Sequence, residues 1–354
     1  MDTYIQWMID WMEERMRERF SLEDLADYMG YSPYYCSFKF HQLTGISIRR
    51  YILLRRLYLS TEDLIQNRRI IDIAMDYGYS SQESYSRAFK TAFGLNPKEF
   101  QLHPQPVQSF TKIIMQQGDV KMSREVEVKQ LKDRKQELFD QDVLNILNGQ
   151  VMYDEFNSKK LMGMSDYVPF NEAMCVHQTS VPVFDDAFIQ MRASGHRDTV
   201  ESYRNKVIKP LCNLFEKDYN YIVLWFGEDV FCQMNALTIL AYLEQSRFKG
   251  KVFLNSFRED EFKVSQTEVT LGKYATVYEK VLIQHQRPSI ELLPVMYQAV
   301  NLFLEMQTED NPVIKYIVKH KHLPTSELLQ KLFALFPMLG YGDTQYLELI
   351  KRYK

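Results

Sequence analysis

Four guanidinium groups lie close together in one short segment of this 354-residue chain. Arg49, Arg50, Arg55 and Arg56 fall within residues 48–67, a stretch that contains no glycine and no proline. Such a stretch is typical of one uninterrupted helix, and arginines along a helix suit the phosphates of a nucleic-acid backbone. The alternative interpretation is that some of these arginines only solvate the surface of the helix.

Short apolar runs in the second half of the chain predict buried strands at 142–148, 221–226 and 251–255. Amphipathic helices are predicted between them, at 199–217 and 230–246. Strands that alternate with helices favour an α/β core with a parallel sheet. In open sheets of this kind, ligands bind beyond the carboxyl ends of the strands.

Carboxamides and carboxylates follow these predicted strands. We predict a cradle for a small polar effector, formed by Asn148, Asn171, Glu172, Glu228, Asp229, Gln233 and Asn235. A competing interpretation is that Glu228 and Asp229 only cap the helix that begins near residue 230. As an alternative function, an enzyme tethered to DNA would use Glu172, Glu228 and Asp229 as catalytic carboxylates.

Other chemistry has little support in the sequence. There is no P-loop, HExxH or GxSxG motif, and Gly149 belongs to no GxGxxG run. The four cysteines are scattered without a CxxC pair, which predicts reduced thiols and neither a disulfide framework nor a zinc site. The histidines lack metal-ligand spacing and are predicted at the surface: His177, His196, His320 and His322. We therefore expect no catalytic residue, metal or cofactor.

The elements that would position the arginines form an internal repeat. Ser21 is predicted to cap a helix that ends at Gly30, and Ser32-Pro33 begins another that ends near Gly45. The same order returns with Ile73-Ala74, Gly78-Tyr79-Ser80, Phe89 and Gly94, and Asn96-Pro97 opens a closing helix. A repeated helix–glycine turn–helix pattern indicates two helix-turn-helix units. The helix predicted between them would span roughly 30 Å, close to the ~34 Å between half-sites on B-DNA.

These residues resemble the DNA-binding domain of the AraC/XylS family. The resemblance is carried by SLEDLADYMGYSPYY, RRL and IIDIAMDYGYSSQESYSRAFKTAFGLNPKEF, over about residues 1–107. It implies that the second helix of each unit contacts bases, through Tyr34, Ser37 and Phe38 and through Gln82, Glu83 and Arg87. Phe38 stands where relatives commonly have arginine. It would contact a thymine methyl group, or else pack against a neighbouring side chain.

The rest of the chain is less informative. Pro97, Pro104 and Pro106 indicate a domain boundary. Residues 108–140 are rich in charged side chains. Charged and apolar residues alternate at 125–128, as in a strand, and the spacing at 131–139 is helical. Beyond residue 141, the segments NILNGQ, PFNEAMC, YIVLWFGEDVFCQMNALTILAYLEQ and LGYGDTQYLELI resemble a bacterial family of unknown function. Helices are predicted near 289–306, 311–319, 325–336 and 343–353.

The sequence thus predicts a mainly α chain of four parts. Residues 1–107 form an all-α double helix-turn-helix domain, 108–140 a linker or bridge, 141–272 an α/β sensor subdomain, and 273–354 a helical subdomain. The expected function is transcription regulation, with double-stranded DNA as partner and a C-terminal part that senses an effector or forms a homodimer. Binding of RNA polymerase by the helical end, as an interaction platform, is a further alternative. No segment suggests a signal peptide or a membrane span, so a cytoplasmic location is expected.

Overall fold

The computed structural model describes residues 3–114, 128, 131, 136–258 and 263–354. The chain divides into two compact units, Met1–Lys121 and Met122–Lys354. Apart from Val128, the strand-like pattern at 125–128 lies outside the described residues, as do residues 132–135 of the predicted helix at 131–139. Gln136–Phe139, at the end of that predicted helix, form a 3-10 turn.

The N-terminal unit consists of helices, in the order that the sequence predicts. They are α1 Thr3–Glu14, α2 Leu22–Met29, α3 Pro33–Thr44, α4 Ile48–Ile65, α5 Ile70–Asp76, α6 Gln82–Phe93 and α7 Pro97–Leu102. Serine side chains cap the two helices predicted to contact bases: Ser32 Oγ accepts from the Tyr35 N–H, and Ser81 Oγ from the Ser84 N–H. Each cap satisfies a donor that the first helical turn leaves without an intrahelical partner.

Two glycines make the turns within the units. Gly30 (φ 71°) and Gly78 (φ 76°) both adopt the left-handed conformation, which costs glycine little. Gly78 has a second constraint, because a Cβ atom there would lie 2.9 Å from an Nη atom of Arg56 on α4. The turn of the second unit therefore fits around a side chain of the connecting helix.

Each helix-turn-helix unit has its own hydrophobic cluster. One gathers Met8, Met12 and Met16 around Phe40 and Tyr51, and the other gathers Tyr85, Phe93 and Phe100 around Phe89. The chain beyond α7 continues onto this surface, where Val107 is buried and Phe110 and Ile113 pack against the clusters. The N-terminal unit therefore extends past residue 107, the predicted boundary.

The C-terminal unit contains a five-stranded sheet in the order β2-β1-β3-β4-β5. Its strands are β1 Val143–Leu147, β2 Asp166–Pro169, β3 Tyr221–Trp225, β4 Lys251–Arg258 and β5 Lys263–Val269. The first four are parallel, with Leu147 opposite both Pro169 and Trp225, whereas β5 pairs with β4 in antiparallel fashion. The sheet is therefore mixed rather than parallel throughout. Sequence reasoning missed β2 and β5.

Helices and loops cover both faces of this sheet. The α-helices of the described part of this unit are α8 Gln150–Lys159, α9 Asp186–Gly195, α10 Val200–Tyr203, α11 Cys212–Glu216, α12 Val230–Gln245, α13 Tyr274–Tyr278, α14 Pro294–Met306, α15 Pro312–Lys319, α16 Thr325–Leu335 and α17 Asp343–Tyr353. A π turn and a 3-10 turn join α10 to α11. All five residues of β1 are buried, as expected of a parallel strand enclosed on both sides.

Successive residues of a strand face opposite sides of the sheet, and the two sides have different cores. Leu144, Ile222 and Leu224 belong to a large cluster that continues through the helices to Tyr346 and Ile350. Val143, Val223 and Trp225 face a smaller cluster, with Phe156, Val128, Leu131, Leu138 and Phe139. The large cluster runs without a break across residue 272, the predicted boundary between two subdomains.

Candidate nucleic-acid interface and ligand crevice

Helix α3 presents an aromatic face to solvent. Tyr34 is 79% exposed and Phe38 is 47% exposed. Their rings are stacked, with centroids 6.3 Å apart and planes 9° apart. Ser37 between them is half-buried, and the Lys39 ammonium group lies 5.9 Å from the Phe38 ring. Phe38 is thus accessible for an apolar contact even though it has Tyr34 as a neighbour.

Helix α6 presents a polar face at the corresponding positions. Gln82, Glu83 and Arg87 are exposed, and Arg87 forms no ion pair within 4 Å among the described residues. The opposite face carries Tyr85 and Phe89, both fully buried. Helical periodicity therefore separates the candidate contact residues from the core, as the sequence predicts.

The four arginines of α4 do not form one set. Arg49 and Arg50 are exposed, but Arg55 is buried, at 7% exposure. Its guanidinium forms a two-point ion pair with Glu13, 2.8 Å from each carboxylate oxygen, and also donates to the carbonyl oxygen of Phe110. The prediction that Arg55 contacts phosphate is therefore wrong, because its donors are already used inside the unit.

Arg56 is also held inside the N-terminal unit. It is half-buried beside Gly78, and it donates to the carbonyl oxygen of Glu18 at 2.5 Å. Burial lowers the pKa of this guanidinium. One donor of Arg56 is thus used inside the unit, and its phosphate contact stays a prediction. The exposed guanidinium groups at the start of α4 are those of Arg49 and Arg50.

An ion-pair network that sequence reasoning missed joins the two helix-turn-helix units. Asp63 on α4 accepts from Arg17, which follows α1, and from Arg68, which precedes α5, both at 2.9 Å. Arg68 also contacts Asp76 at 2.5 Å. These side chains lie up to 59 residues apart in the chain, so no local spacing signals the contacts.

In the C-terminal unit, three predicted cradle residues come together as a structural clamp. The amide nitrogen of Asn235 donates to Asn148 Oδ1 at 3.0 Å and to the Glu172 carbonyl oxygen at 2.7 Å. Its oxygen accepts from the Met174 N–H at 3.0 Å. Asn235 is fully buried, and these bonds tie α12 to the loops after β1 and β2. A buried amide with this set of partners stabilises the fold.

Asp229 acts as the N-cap of α12. One carboxylate oxygen accepts from the Cys232 N–H at 2.8 Å, and burial raises the pKa of the carboxyl group. Gly340 packs so closely that a Cβ atom there would lie 2.1 Å from Asp229 Oδ1. The capping interpretation thus applies to Asp229. Nearby, Gln233 donates to the Gly227 carbonyl at 2.7 Å, and Glu228 is buried.

Glu172 is the centre of a buried charged cluster. It accepts from Arg192 at 2.8 Å, from His196 at 2.6 Å, from Tyr203, and from the Ala173 N–H at 2.7 Å. Burial alone would raise the pKa of Glu172, but the charge and hydrogen bonds of Arg192 and His196 outweigh it, and the pKa lies far below its ordinary value. Glu172 is therefore held ionised with its oxygens occupied, a poor state for a general acid or base.

Sequence reasoning missed three members of this cluster, Arg192, His196 and Tyr203. Arg192 is fully buried, and its remaining N–H groups donate to carbonyl oxygens of the 173–178 segment, the shortest being 2.7 Å to Val176. His196, predicted at the surface, is instead in contact with Glu172. The spacing of four between Arg192 and His196 was the available signal, because it places both on one face of a helix.

A cavity of about 450 Å³ lies above this cluster and is called the crevice below. Its wall includes residues that follow β1 and β2 and the start of α12: Gly149, Phe170, Asn171, Glu172, Ala173, His196, Asp198, Tyr203, Lys206, Val207, Phe231, Gly340, Gly342 and Gln345. The strand order 2-1-3 makes the β1/β3 edge a topological switch point, where open sheets bind ligands.

Only part of the predicted cradle lines the crevice. Asn171 and Glu172 do, and Asn171 donates to Gln150 Oε1 at 3.1 Å and to the Lys206 carbonyl at 3.2 Å. The other predicted residues do not line it: Asn148, Glu228, Asp229, Gln233 and Asn235. The contacts found for Asn148, Asp229, Gln233 and Asn235 fix the loops beneath the crevice.

Two further properties bear on function. Within the described residues, no group of three or more His, Cys, Asp or Glu side chains could hold a metal ion. Among the same residues, no helix has the length and apolar character needed to span a membrane.

Comparison with known proteins shows which proteins the N-terminal unit is similar to. A helix-turn-helix domain model matches residues 25–103. Regulatory protein SoxS of Salmonella typhimurium is 36% identical over 97 residues, which are 27% of this chain and 91% of SoxS. The HTH-type transcriptional activator AarP of Providencia stuartii is 31% identical over 101 residues, 28% of this chain and 75% of AarP.

Solved structures also match. A transcriptional regulator from Chromobacterium violaceum, described as having an AraC-type DNA-binding domain, is 26% identical with a TM-score of 0.27, over 29% of this chain and 96% of that one. SoxS is matched over nearly all of its length at substantial identity. Through its N-terminal unit, this chain belongs to the AraC-type family of helix-turn-helix transcriptional regulators.

Proposed function

We propose that this chain is a sequence-specific DNA-binding regulator that inserts α3 and α6 into two successive major-groove segments. One observation carries the proposal: two capped helices of 12 residues, each with an exposed face, flank a single connecting helix of 18 residues. The connecting helix is about 27 Å long, of the same order as the ~34 Å repeat of B-DNA.

The exposed side chains divide into two roles. Arg49 and Arg50 would contact phosphates, which position a protein on DNA without reading its sequence. Gln82, Glu83 and Arg87 on α6 have the donors and acceptors that recognise adenine, cytosine and guanine in the major groove. On α3, Tyr34, Ser37 and Phe38 offer a mostly apolar surface, which suits thymine methyl groups.

Selection of duplexes from a random library by the full chain tests sequence specificity. We expect two enriched half-sites about one helical turn apart, and insertion of about half a turn between them should abolish the gain in affinity. The absence of any enriched sequence would contradict the proposal.

The salt dependence of DNA binding tests whether Arg49 and Arg50 contact phosphates. For Arg49→Gln/Arg50→Gln we expect the log–log slope of affinity against salt to fall by about 2, since each lost phosphate contact removes about 0.9. Lys98→Gln, which changes an exposed cation on α7, is the matched control. An unchanged slope in the double variant would remove both arginines from the interface.

For the C-terminal unit, we propose that the crevice binds a small polar effector. Its position at the switch point of the sheet supports this role. Charged side chains of its wall already have counter-ions in the protein: Lys206 pairs with Asp198 at 2.8 Å, and Glu172 pairs with Arg192. Hydrogen-bonding groups such as those of Asn171 would then select an uncharged or zwitterionic ligand.

A thermal-shift screen of small polar metabolites with the full chain tests the effector role. A compound that raises the melting temperature should lose this effect in Asn171→Leu and keep it in Asp229→Asn. Asp229 lies outside the crevice, and asparagine is nearly as good an N-cap as aspartate. If no compound binds and sedimentation shows a dimer through the C-terminal unit, the oligomerisation role replaces sensing.

A further inference from the structure

A second cavity, of about 690 Å³, lies in the C-terminal unit and is called the C-terminal cavity below. It is bounded by the segment after β2, the end of α9, the junction of α14 with α15, and helix α17. Gln345 lines both this cavity and the crevice. The volume falls within the range of ~300–1,000 Å³ that small-molecule sites usually have.

The charges around the C-terminal cavity are unbalanced. Arg197, Lys351 and Arg352 contribute three positive charges, and Glu348 contributes one negative charge. Among the residues that the structure describes, none of these three basic side chains forms an ion pair within 4 Å, and the Arg352 guanidinium lies 5.5 Å from the Tyr353 ring. This contrasts with the crevice, where Lys206 is paired. A concave wall with unneutralised charges of one sign concentrates ions of the opposite sign.

The same cavity also has an apolar wall, formed by Cys175, Val176, Met306, Val313, Tyr341 and Leu349. Cys175, Val313 and Tyr341 are buried. A small inorganic anion would leave this wall in contact with water. A ligand that carries both a hydrocarbon part and an anionic group would instead cover the apolar wall and meet the basic side chains.

The backbone of one residue in the cavity wall, His177, is unusual. His177 has φ 63°, a conformation rare for residues other than glycine. It packs on Gly195, where a Cβ atom would lie 2.7 Å from the His177 Cβ. Burial, together with the charges of His196 and Arg192, lowers the pKa of His177, which favours the neutral imidazole, a group that can donate or accept a hydrogen bond. Such conformations are found more often at binding sites than elsewhere.

We infer that the C-terminal cavity binds an organic anion, a carboxylate or phosphate monoester with a hydrocarbon part, held by Arg197 and Lys351 against the apolar wall. This site adjoins the crevice at Gln345 but has its own basic side chains, and it does not depend on the effector proposed there. The competing explanation is that Lys351 and Arg352 only interact favourably with the C-terminal dipole of α17.

Titration of the full chain with anilinonaphthalene sulfonate, a fluorescent aromatic anion, tests the inference. We expect saturable binding of one equivalent, displaced by hexanoate or hexyl phosphate. Hexanol, which has the same hydrocarbon chain without the charge, should not displace it. The better of the two anionic competitors indicates whether the site prefers carboxylate or phosphate.

Substitutions identify the site. Arg197→Gln and Lys351→Gln should each weaken binding by roughly tenfold, the effect of losing about one charge-assisted hydrogen bond. Lys249→Gln, which changes an exposed lysine distant in sequence from the cavity, is the matched control and should leave binding unchanged. Equal binding by all three variants with unchanged melting temperatures would overturn the inference, as would displacement by hexanol as strong as that by hexanoate.

Discussion

The two helix-turn-helix units have the same helical framework and differ in the side chains that their second helices expose. Both have a serine-capped second helix of 12 residues, a left-handed glycine in the turn, and a buried phenylalanine, Phe40 or Phe89. The exposed side chains are aromatic on α3 and polar on α6. The repeat therefore determines which positions cap a helix, which form the turn and which pack in the core. The solvent-facing positions, which are under no such constraint, are free to carry different recognition chemistry.

The units also differ in how far their ion pairs are buried. The ion pair of Arg55 with Glu13, in the first unit, is buried, with side chains 8% and 14% exposed. The pair of Arg68 with Asp76, at the second unit, is more open, at 33% and 39%. A buried charge that loses its partner is strongly destabilising, whereas an exposed pair contributes little. The four predictions that follow use these differences.

The largest expected effect is on stability. Glu13→Ala should lower the free energy of unfolding by about 3–5 kcal/mol, because Arg55 would remain buried without its counter-ion. Asp76→Ala, its counterpart in the second unit, should cost about 1 kcal/mol or less. Denaturant melts of the full chain, followed through the N-terminal unit, measure both. Equal losses would mean that burial does not distinguish the two pairs.

Arg87→Ala on α6 should weaken binding to the selected DNA site by about 1–3 kcal/mol, the range for a good base contact. Affinity for unrelated duplex DNA should change much less, and fluorescence anisotropy at fixed salt measures both. If both affinities fell by the same factor, Arg87 would be a phosphate contact, and α6 would lose its assigned role in guanine recognition.

Phe38→Ala on α3 should weaken specific binding by about 1 kcal/mol, the lower end of that range, because an apolar contact lacks the hydrogen bonds of an arginine. The melting temperature should hardly change, since Phe38 is exposed. Phe40→Ala, two residues along the same helix, is the contrasting variant and should cost about 3–5 kcal/mol of stability. A stability loss for Phe38→Ala without a change in affinity would assign its ring to packing against Tyr34.

The smallest effect concerns acid stability. Burial would raise the pKa of Asp63, but hydrogen bonds from Arg68, Tyr77 and Arg17 outweigh it, so the pKa falls below the ordinary value of 3.8. The ionised carboxylate therefore stabilises the folded state above that pH, and this contribution disappears as the pH falls through the folded pKa. As the pH falls below about 4, the free energy of unfolding should drop more steeply in the wild type than in Asp63→Asn. Parallel pH profiles would remove Asp63 from the acid response.

Much of the N-terminal unit was predictable because its signals are local. Caps, turn glycines and apolar spacing depend on residues within about one helical turn of each other. The burial of Arg55 had such a signal as well, although it was not used. Ile48, Tyr51, Ile52 and Arg55 follow helical spacing on α4, and the first three are apolar. That stripe places Arg55 on the buried face, whereas Arg49 and Arg50 lie off it.

The crevice was predicted only in part. Strand ends after 147 and 225 were correct to within a residue, because buried strands appear as short apolar runs. For Asp229 the capping alternative applies, and Asn235, predicted to contact a ligand, acts as a clamp between segments. The same residue types serve either purpose, so their identity could not distinguish the two roles.

The sequence by itself determined the helices of the N-terminal unit, their caps and turns, and the three parallel strands it marked, since each depends on neighbours close in the chain. Tertiary structure decided which partners most of the charged side chains meet. Asp63 meets Arg17 across 46 residues, and Glu172 meets Arg192 across 20. Tertiary structure also decided the antiparallel addition of β5 to β4. The physical reason is that a charged side chain has no preference for core or solvent until distant segments pack and either supply its counter-ion or leave it to water.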